Sequence, residues 1–152
     1  MYVDGFVIPL PKKHLAAYQK MASAGGKIWM DHGALQYFEC VGDDLDVKMG
    51  QPFPKELRLK KGETVVFAWV LYRSRAHRDQ VNRRVMKDPR MTGLDTAMPF
   101  DVNRMCYGGF KPIVAHQGGA ARPAKRPARR ATRARRPARA NGHAAASAEQ
   151  PI

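Results

Sequence analysis

One carboxylate interrupts an apolar run near the start of this chain. Glu39 lies inside ALQYFECV, residues 34–41, a segment typical of a β-strand. On a solvated edge of a sheet such a glutamate has no special role, and this is the simpler interpretation. In a pocket, burial would raise the pKa of its carboxyl group and make Glu39 a candidate general base.

Three further residues are candidates for lining a pocket: His32, Trp69 and Tyr107. His32 ends the first predicted helix, where the negative end of the helix dipole favours a protonated imidazole. We favour capping over catalysis for this histidine. Aromatic residues such as Trp69 and Tyr107 more often build a core or an interface than a ligand cage. The sequence therefore assigns no catalytic residue and does not decide whether the protein is an enzyme.

The sequence carries none of the common catalytic, phosphate-binding or metal-binding motifs. It has no nucleophile elbow, SxxK, HExxH, kinase or phosphate-loop pattern, so we predict no cofactor. Its histidines are scattered without a metal-binding spacing, so we predict no metal. They are His14, His32, His77, His116 and His143.

Cysteine usage and the N-terminal residues bear on the compartment. Cys40 and Cys106 form no CxxC or Cys/His pair, and we interpret them as reduced thiols of the kind found in cores. The first residues, MYVDGFVIPLPKK, lack a basic leader and a long apolar segment. We therefore predict a cytoplasmic protein without a membrane segment.

The apolar periodicity predicts elements in the order β-α-β-β-α-β. Pro9 and Pro11 close the first strand and open a helix, Gly33 ends that helix, and Ser74 is a natural N-cap for the second. Residues 42–62 are polar and rich in turn formers, which predicts a long connection with short extended pieces. The predicted strands are residues 2–10, 34–41, 63–73 and 104–114, and the predicted helices are residues 12–32 and 75–87.

This order predicts an α+β, ferredoxin-like sandwich with two helices on one face of an antiparallel sheet. The segment ETVVFAWVLYR, residues 63–73, is apolar on both of its alternating faces. The helices cover only one face, so the other requires a second protein surface. A second copy packed sheet against sheet is the simplest source, and we predict a homodimer that forms a dimeric α/β barrel.

Two glycine–aromatic motifs fall in strands that this order makes antiparallel neighbours. They are DGF at residues 4–6 and GGF at residues 108–110. Facing glycines allow a bulge or the close approach of another group. A ligand is one such group, but we favour room for an aromatic ring or for a bend at the dimer contact.

Several motifs, taken in order, point to one family. They are YVDGF at residues 2–6, HGAL at 32–35, VVFAW at 65–69, DPRM at 88–91 and MPFDxxRMxYGGF at 98–110. Together they resemble the YbaA-like family of uncharacterised bacterial proteins (domain of unknown function 1428), over about residues 1–115. The resemblance implies a dimeric α/β-barrel fold and brings no established activity, cofactor or catalytic residue.

The composition changes at residue 118, where an Ala/Arg/Pro string begins. Residues 1–118 hold 18 Lys/Arg and 12 Asp/Glu, whereas residues 119–152 hold nine and one. Proline blocks helix and sheet and like charges repel, so we predict a folded domain at residues 1–117 and a disordered tail at 118–152. The tail resembles those of linker-histone-like proteins. Its cations are Arg122, Lys125, Arg126, Arg129, Arg130, Arg133, Arg135, Arg136 and Arg139.

Two hypotheses of function emerge from these halves. In the first, the domain binds or acts on a small organic molecule between its sheet and its helices. In the second, the tail binds the phosphate backbone of nucleic acid without sequence preference, because it offers charge and no aromatic ring to stack on a base. A GC-rich genome that writes Ala, Arg and Pro where selection is slack is an equally good explanation of the tail.

Overall fold

The computed structural model describes residues 1–94 and 98–116. The chain divides into two units, Met1–Ala115 and His116–Ile152, and the predicted tail at residues 118–152 lies outside the described residues. The strands are Tyr2–Pro11 (β1), Gln36–Val41 (β2), Glu63–Tyr72 (β3) and Cys106–Phe110 (β4). The α-helices are Leu15–Asp31 (α1), Phe53–Glu56 (α2) and Arg75–Val85 (α3), with 3-10 turns at Lys12–His14, Pro89–Gly93 and Val102–Arg104.

The four strands form one antiparallel sheet in the order β2-β3-β1-β4. The central pair, β1 and β3, is in register along its whole length, from Tyr2 opposite Tyr72 to Pro11 opposite Glu63. The central strands are bordered on both sides, which is why the longest apolar segments of the sequence occupy them. The predicted mixed α/β architecture with an antiparallel sheet is confirmed.

The core lies on the side of the sheet that α1 and α3 cover. The buried side of α1 follows the apolar periodicity of the sequence, since Tyr18, Ala22, Gly25 and Ile28 are buried at helical spacing. Val81 and Val85 of α3 are fully buried against the same face. Burial of each large apolar side chain contributes roughly 1.5–3 kcal/mol. The strand residues beneath the helices are Ile8, Leu10, Val66, Ala68, Val70 and Tyr72.

Most of the other face of the sheet is open in the single chain, although Pro9 and Val65 at one end of it are buried. Three large aromatic side chains on it are about half exposed: Phe38 at 45 %, Phe67 at 48 % and Phe110 at 59 %. Cys40 and Cys106 are exposed as well, so the prediction of core thiols was wrong for a single chain. On this face β3 is therefore buried only near its start, at Val65, whereas α1 and α3 cover its other face.

Element ends match the predicted signals in most places. Gly33 follows α1 with a φ of +105°, in the left-handed region that favours glycine. The Ser74 hydroxyl accepts a hydrogen bond from the His77 backbone N–H at 3.1 Å and caps α3. Inside the predicted connection, the sequence FPKE forms the one-turn helix α2, with a proline in its first turn.

The last strand is shorter than predicted. It spans five residues, because it pairs with β1 alone and Pro112 cannot donate to a continued ladder. At the other end, Arg104 lies in a 3-10 turn, where its guanidinium contacts the Glu63 carboxylate. This ion pair fixes the chain just before β4.

The glycine–aromatic motifs face each other as predicted, with Asp4 opposite Gly109 and Gly5 opposite Gly108. A Cβ on Gly5 would lie 3.2 Å from the Phe110 ring, and one on Gly109 would overlap the Tyr2 ring. The glycines therefore make room for aromatic rings, which is the interpretation that the sequence favoured.

Candidate functional site

A cavity of about 410 Å³ lies between the sheet and the helices. It exists because small residues face each other there: Ala68 on the floor of the sheet, and Ala22 and Gly25 on α1. Ligand sites in proteins usually span about 300–1,000 Å³. The space is therefore large enough for a small organic molecule.

The cavity lining is aromatic and rich in methionine. Methionine is flexible and polarisable, so it adapts to irregular ligands. The rings that border the cavity from the helix side of the sheet are Phe6, Tyr18, Trp29, Tyr37, Tyr72, Phe100 and Tyr107. The methionines are Met21, Met86, Met91, Met98 and Met105.

Glu39 forms the first polar centre of the cavity. Its Oε2 accepts a hydrogen bond from the Tyr18 hydroxyl at 2.6 Å, and its Oε1 accepts one from the Tyr37 hydroxyl at 2.7 Å. Tyr37 and Glu39 are two residues apart in β2 and share a face, whereas Tyr18 reaches the carboxylate from α1. The centre thus ties the edge strand to the helix above it.

Both tyrosines remain protonated at neutral pH. Burial, with the nearby Glu39 carboxylate, raises the pKa of Tyr18 and Tyr37 far above the ordinary value of a phenol. The two hydroxyls therefore donate to Glu39 while their oxygens can still accept a hydrogen bond from a ligand. Such a carboxylate, held by two phenols, can bind a donor or accept a proton.

Gly26 in α1 lets Tyr37 lie beneath the helix. A Cβ on Gly26 would be 2.8 Å from Cδ1 of the Tyr37 ring. The Tyr37 ring can approach α1 this closely because residue 26 has no side chain. A shallower groove of about 560 Å³ between α1 and β2 borders Tyr18, Tyr37 and Glu39 as well, so the Glu39 centre can be reached from two sides.

Asp4 forms a second polar centre on β1. Only 2 % of Asp4 is exposed. Its Oδ2 accepts a hydrogen bond from the Asn82 amide at 3.5 Å, and its Oδ1 lies 3.5 Å from Nη1 of Arg78. Within residues 1–94 and 98–116, Oδ1 accepts no hydrogen bond. Burial raises the pKa of Asp4 in spite of the Arg78 guanidinium beside it.

Residues around Asp4 are held by a hydrogen-bond network. Oδ1 of Asn82 accepts from the Tyr72 hydroxyl and from Nε1 of Trp29, each at 3.2 Å. Arg78 donates to the Tyr107 hydroxyl at 3.3 Å, and its guanidinium lies 5.0 Å from the centre of the Tyr2 ring. The position of Asp4 in the cavity is therefore fixed by α3.

The sequence candidates divide between three places. Glu39 and Tyr107 border the cavity on the helix side, and the Tyr107 ring stacks on Phe6 with centroids 4.8 Å apart. Trp69 also borders the cavity, because β3 forms part of the cavity wall. Its ring stacks on Phe38 with centroids 4.9 Å apart, on the open face of the sheet.

His32 is the C-cap of α1, as the sequence favoured, and it does not border the cavity. Its Nε2 lies 2.8 Å from Oδ2 of Asp88, which also binds Arg90. Hydrogen bonds from Arg90 lower the pKa of Asp88. Because Arg90 also contacts Asp31, this cluster joins the end of α1 to the Pro89–Gly93 turn.

Sequence reasoning missed Asp4, Asn82, Tyr18 and Tyr37 as parts of the site. A signal existed for Asp4, because it shares the alternation of Phe6 and Ile8, which points it into the core. Asn82 carries no such signal, since a polar residue on a helix predicts only a solvated face.

The described residues form neither a metal site nor a membrane-spanning helix. In residues 1–94 and 98–116, no three His, Cys, Asp or Glu side chains converge in a group that could hold a metal ion. No helix in the same ranges is both long and apolar enough to cross a membrane.

Comparison with known proteins shows the family. Residues 1–102 match the family model described as "Protein of unknown function (DUF1428)". The chain belongs to the DUF1428 family. The "Uncharacterized protein YbaA" of Escherichia coli K12 is 39 % identical over 113 residues, which cover 74 % of this chain and 97 % of YbaA. YbaA of Shigella flexneri gives the same values. The resemblance noted from the sequence is confirmed.

Solved structures similar to this DUF1428 member include an uncharacterised NIPSNAP domain protein from Burkholderia xenovorans. It is 13 % identical with a TM-score of 0.48, and the match covers 78 % of this chain and 100 % of that one. A protein from Agrobacterium tumefaciens is 18 % identical with a TM-score of 0.46, covering 74 % and 93 % of the two chains.

Proposed function

We propose that the domain binds a small organic molecule in the cavity between its sheet and its helices. The observation that carries the proposal is a space of about 410 Å³ with apolar walls and two carboxylates, the buried Asp4 and the partly buried Glu39. A folded protein keeps such groups away from water only at a cost in stability. The presence of these two carboxylates in the cavity is best explained by a ligand that forms hydrogen bonds with them.

A neutral probe tests this proposal without a known ligand. 4-Phenylbutan-1-ol offers an aromatic body and one hydroxyl, and its binding can be followed by tryptophan fluorescence, since Trp29 borders the cavity. At roughly 0.3 kcal/mol per non-hydrogen atom, we expect a Kd in the low millimolar range or tighter. Absence of binding by this probe and by compounds of similar size contradicts the proposal.

A matched pair of variants localises the binding. Ala68→Leu adds three carbons to the cavity floor, and we expect it to weaken probe binding about tenfold or more. Ala17→Leu makes the same change on the exposed side of α1 and should leave binding unchanged. Equal effects of the two variants would place the probe elsewhere.

We also propose that two copies of this ferredoxin-like domain pack through their open sheet faces as a dimeric α/β barrel. In the strand register, this face carries the aromatic residues Phe38, Phe67 and Phe110, and its one charged residue, Glu63, lies at its end, bound to Arg104. Apolar patches of this kind mark association sites. Sedimentation equilibrium at micromolar concentration should report twice the chain mass, and a single-chain mass contradicts the proposal.

A second candidate function rests on the nine Arg/Lys residues of positions 119–152. We propose that this segment contacts nucleic-acid phosphates, which would give affinity that falls steeply with salt. Titration of duplex DNA with the full chain and with a chain truncated after residue 118 tests it. Equal affinities contradict it. A cytoplasmic location stays a prediction.

A further inference from the structure

The cavity differs in charge from the rest of the protein. The chain carries a formal net charge of +14. Among the described residues that border the cavity there are two carboxylates, Asp4 and Glu39, and no lysine, arginine or histidine. In a protein with so many cations, a binding space whose charged lining residues are both acids selects for a cation or a hydrogen-bond donor.

The two carboxylates are not equivalent. Asp4 faces the Arg78 guanidinium at 3.5 Å, so its charge already has a partner. Glu39 contacts two neutral phenols, and no Lys, Arg or His lies within ion-pair distance of it in the part of the chain that is described. Its two hydrogen bonds fix both oxygens and leave lone pairs free. Glu39 is therefore the carboxylate that lacks a counter-ion.

The walls around Glu39 also suit a cation with an apolar body. Four aromatic residues, Tyr18, Tyr37, Trp29 and Phe6, border the cavity. Aromatic faces attract ammonium groups, and the attraction grows when both partners are shielded from water. On the other side of the floor, Oδ1 of Asp4 is buried and lies 3.5 Å from Nη1 of Arg78, so the cation is expected at Glu39 and not at Asp4.

We infer that the ligand is an apolar amine, bound as its ammonium ion with Glu39 as counter-ion. This inference rests on the proposed function and names the ligand class of the same cavity. A primary amine carries its charge at pH 7, as lysine does. The ammonium replaces its water shell with the Glu39 carboxylate, the phenol oxygens and the ring faces.

Three probes of one shape test the inference on the wild-type full chain: 4-phenylbutylamine, 4-phenylbutan-1-ol and 4-phenylbutanoate. We expect the amine to bind about tenfold or more tightly than the alcohol, and the acid to bind more weakly than both. If the alcohol binds and the amine binds no more tightly, the inference fails and the proposed function stands. If none of the three binds, both fail.

A substitution then assigns the counter-ion. Glu39→Gln keeps the shape of the side chain and should lower the amine affinity about tenfold or more, with the alcohol affinity nearly unchanged. Glu56→Gln removes one exposed carboxylate outside the cavity and should change neither affinity. Retention of the amine preference by Glu39→Gln overturns the assignment. If that variant does not fold, the wild-type probe series still decides the inference.

Discussion

The two faces of the sheet are both apolar, yet they are built differently. The helix-covered face holds two carboxylates: Glu39, which two tyrosines bind, and Asp4, which contacts Asn82 and Arg78. The open face holds exposed aromatic residues such as Phe38 and Phe67, with a charged group only at its end. Apolar surface alone is explained by packing against another protein surface. Packing does not explain charged groups that are kept out of water, so we expect a ligand site on the covered face.

The largest effect is expected on the proposed dimer, from a charge placed on the open face of the sheet. Phe67→Asp puts two carboxylates into a symmetric contact, and each loses several kcal/mol of hydration there. We expect the dimer to separate into single chains in sedimentation. Met49→Asp makes the same kind of change at a residue that is 90 % exposed, and it should leave the assembly intact. A Phe67→Asp protein that stays dimeric contradicts the proposed contact.

The next largest effect is expected on stability, from a substitution in the core of the covered face. Leu10 is fully buried between sheet and α1, and Leu10→Ala should cost about 2–5 kcal/mol of unfolding free energy through lost burial and the space left behind. Leu35 is 39 % exposed, and Leu35→Ala should cost clearly less. Urea unfolding at one protein concentration measures both. Equal losses would mean that the covered face does not hold the main core.

The alternation of side chains along the strands predicted much of the difference between the two faces of the sheet. Tyr37 and Glu39 are two residues apart and must share a face, and Asp4 must share one with Phe6 and Ile8. These relations are local, so the sequence contains them. The helical spacing in α1 and the cap at Ser74 are local in the same way.

Other features depend on partners that no local pattern identifies. β3 is apolar on both faces, so its alternation does not say which face the helices cover, and the Trp69 ring lies on the open face while Tyr107 borders the cavity. The third member of the Glu39 centre, Tyr18, is 21 residues away in the chain. The contact of His32 with Asp88 spans 56 residues. Such pairs are set by how the helices pack.

Alanine substitutions at two adjacent glycines of α1 should change stability in opposite directions, which tests the packing of the covered face. Gly26→Ala should cost about 1–3 kcal/mol, because its Cβ would press on the Tyr37 ring at 2.8 Å. Gly25→Ala meets atoms no closer than 3.8 Å and should gain up to about 1 kcal/mol from helix propensity. Thermal unfolding of both variants measures the difference. A gain in both would mean that Tyr37 does not lie beneath α1.

The smallest effect concerns the buried charge of Asp4. Burial raises its pKa, so the folded protein takes up a proton more readily than the unfolded chain. Asp4 therefore lowers stability as the pH rises from the unfolded pKa of about 3.9 through the raised folded value. Asp4→Asn mimics the protonated acid, and we expect a modest gain in unfolding free energy at pH 7 that shrinks below pH 4. Asp79→Asn removes an exposed carboxylate that contacts the same Arg78 and should change stability by about 0.5 kcal/mol or less. A loss of stability in Asp4→Asn at pH 7 would show that the Arg78 ion pair outweighs burial, and that the covered face holds this charge without strain.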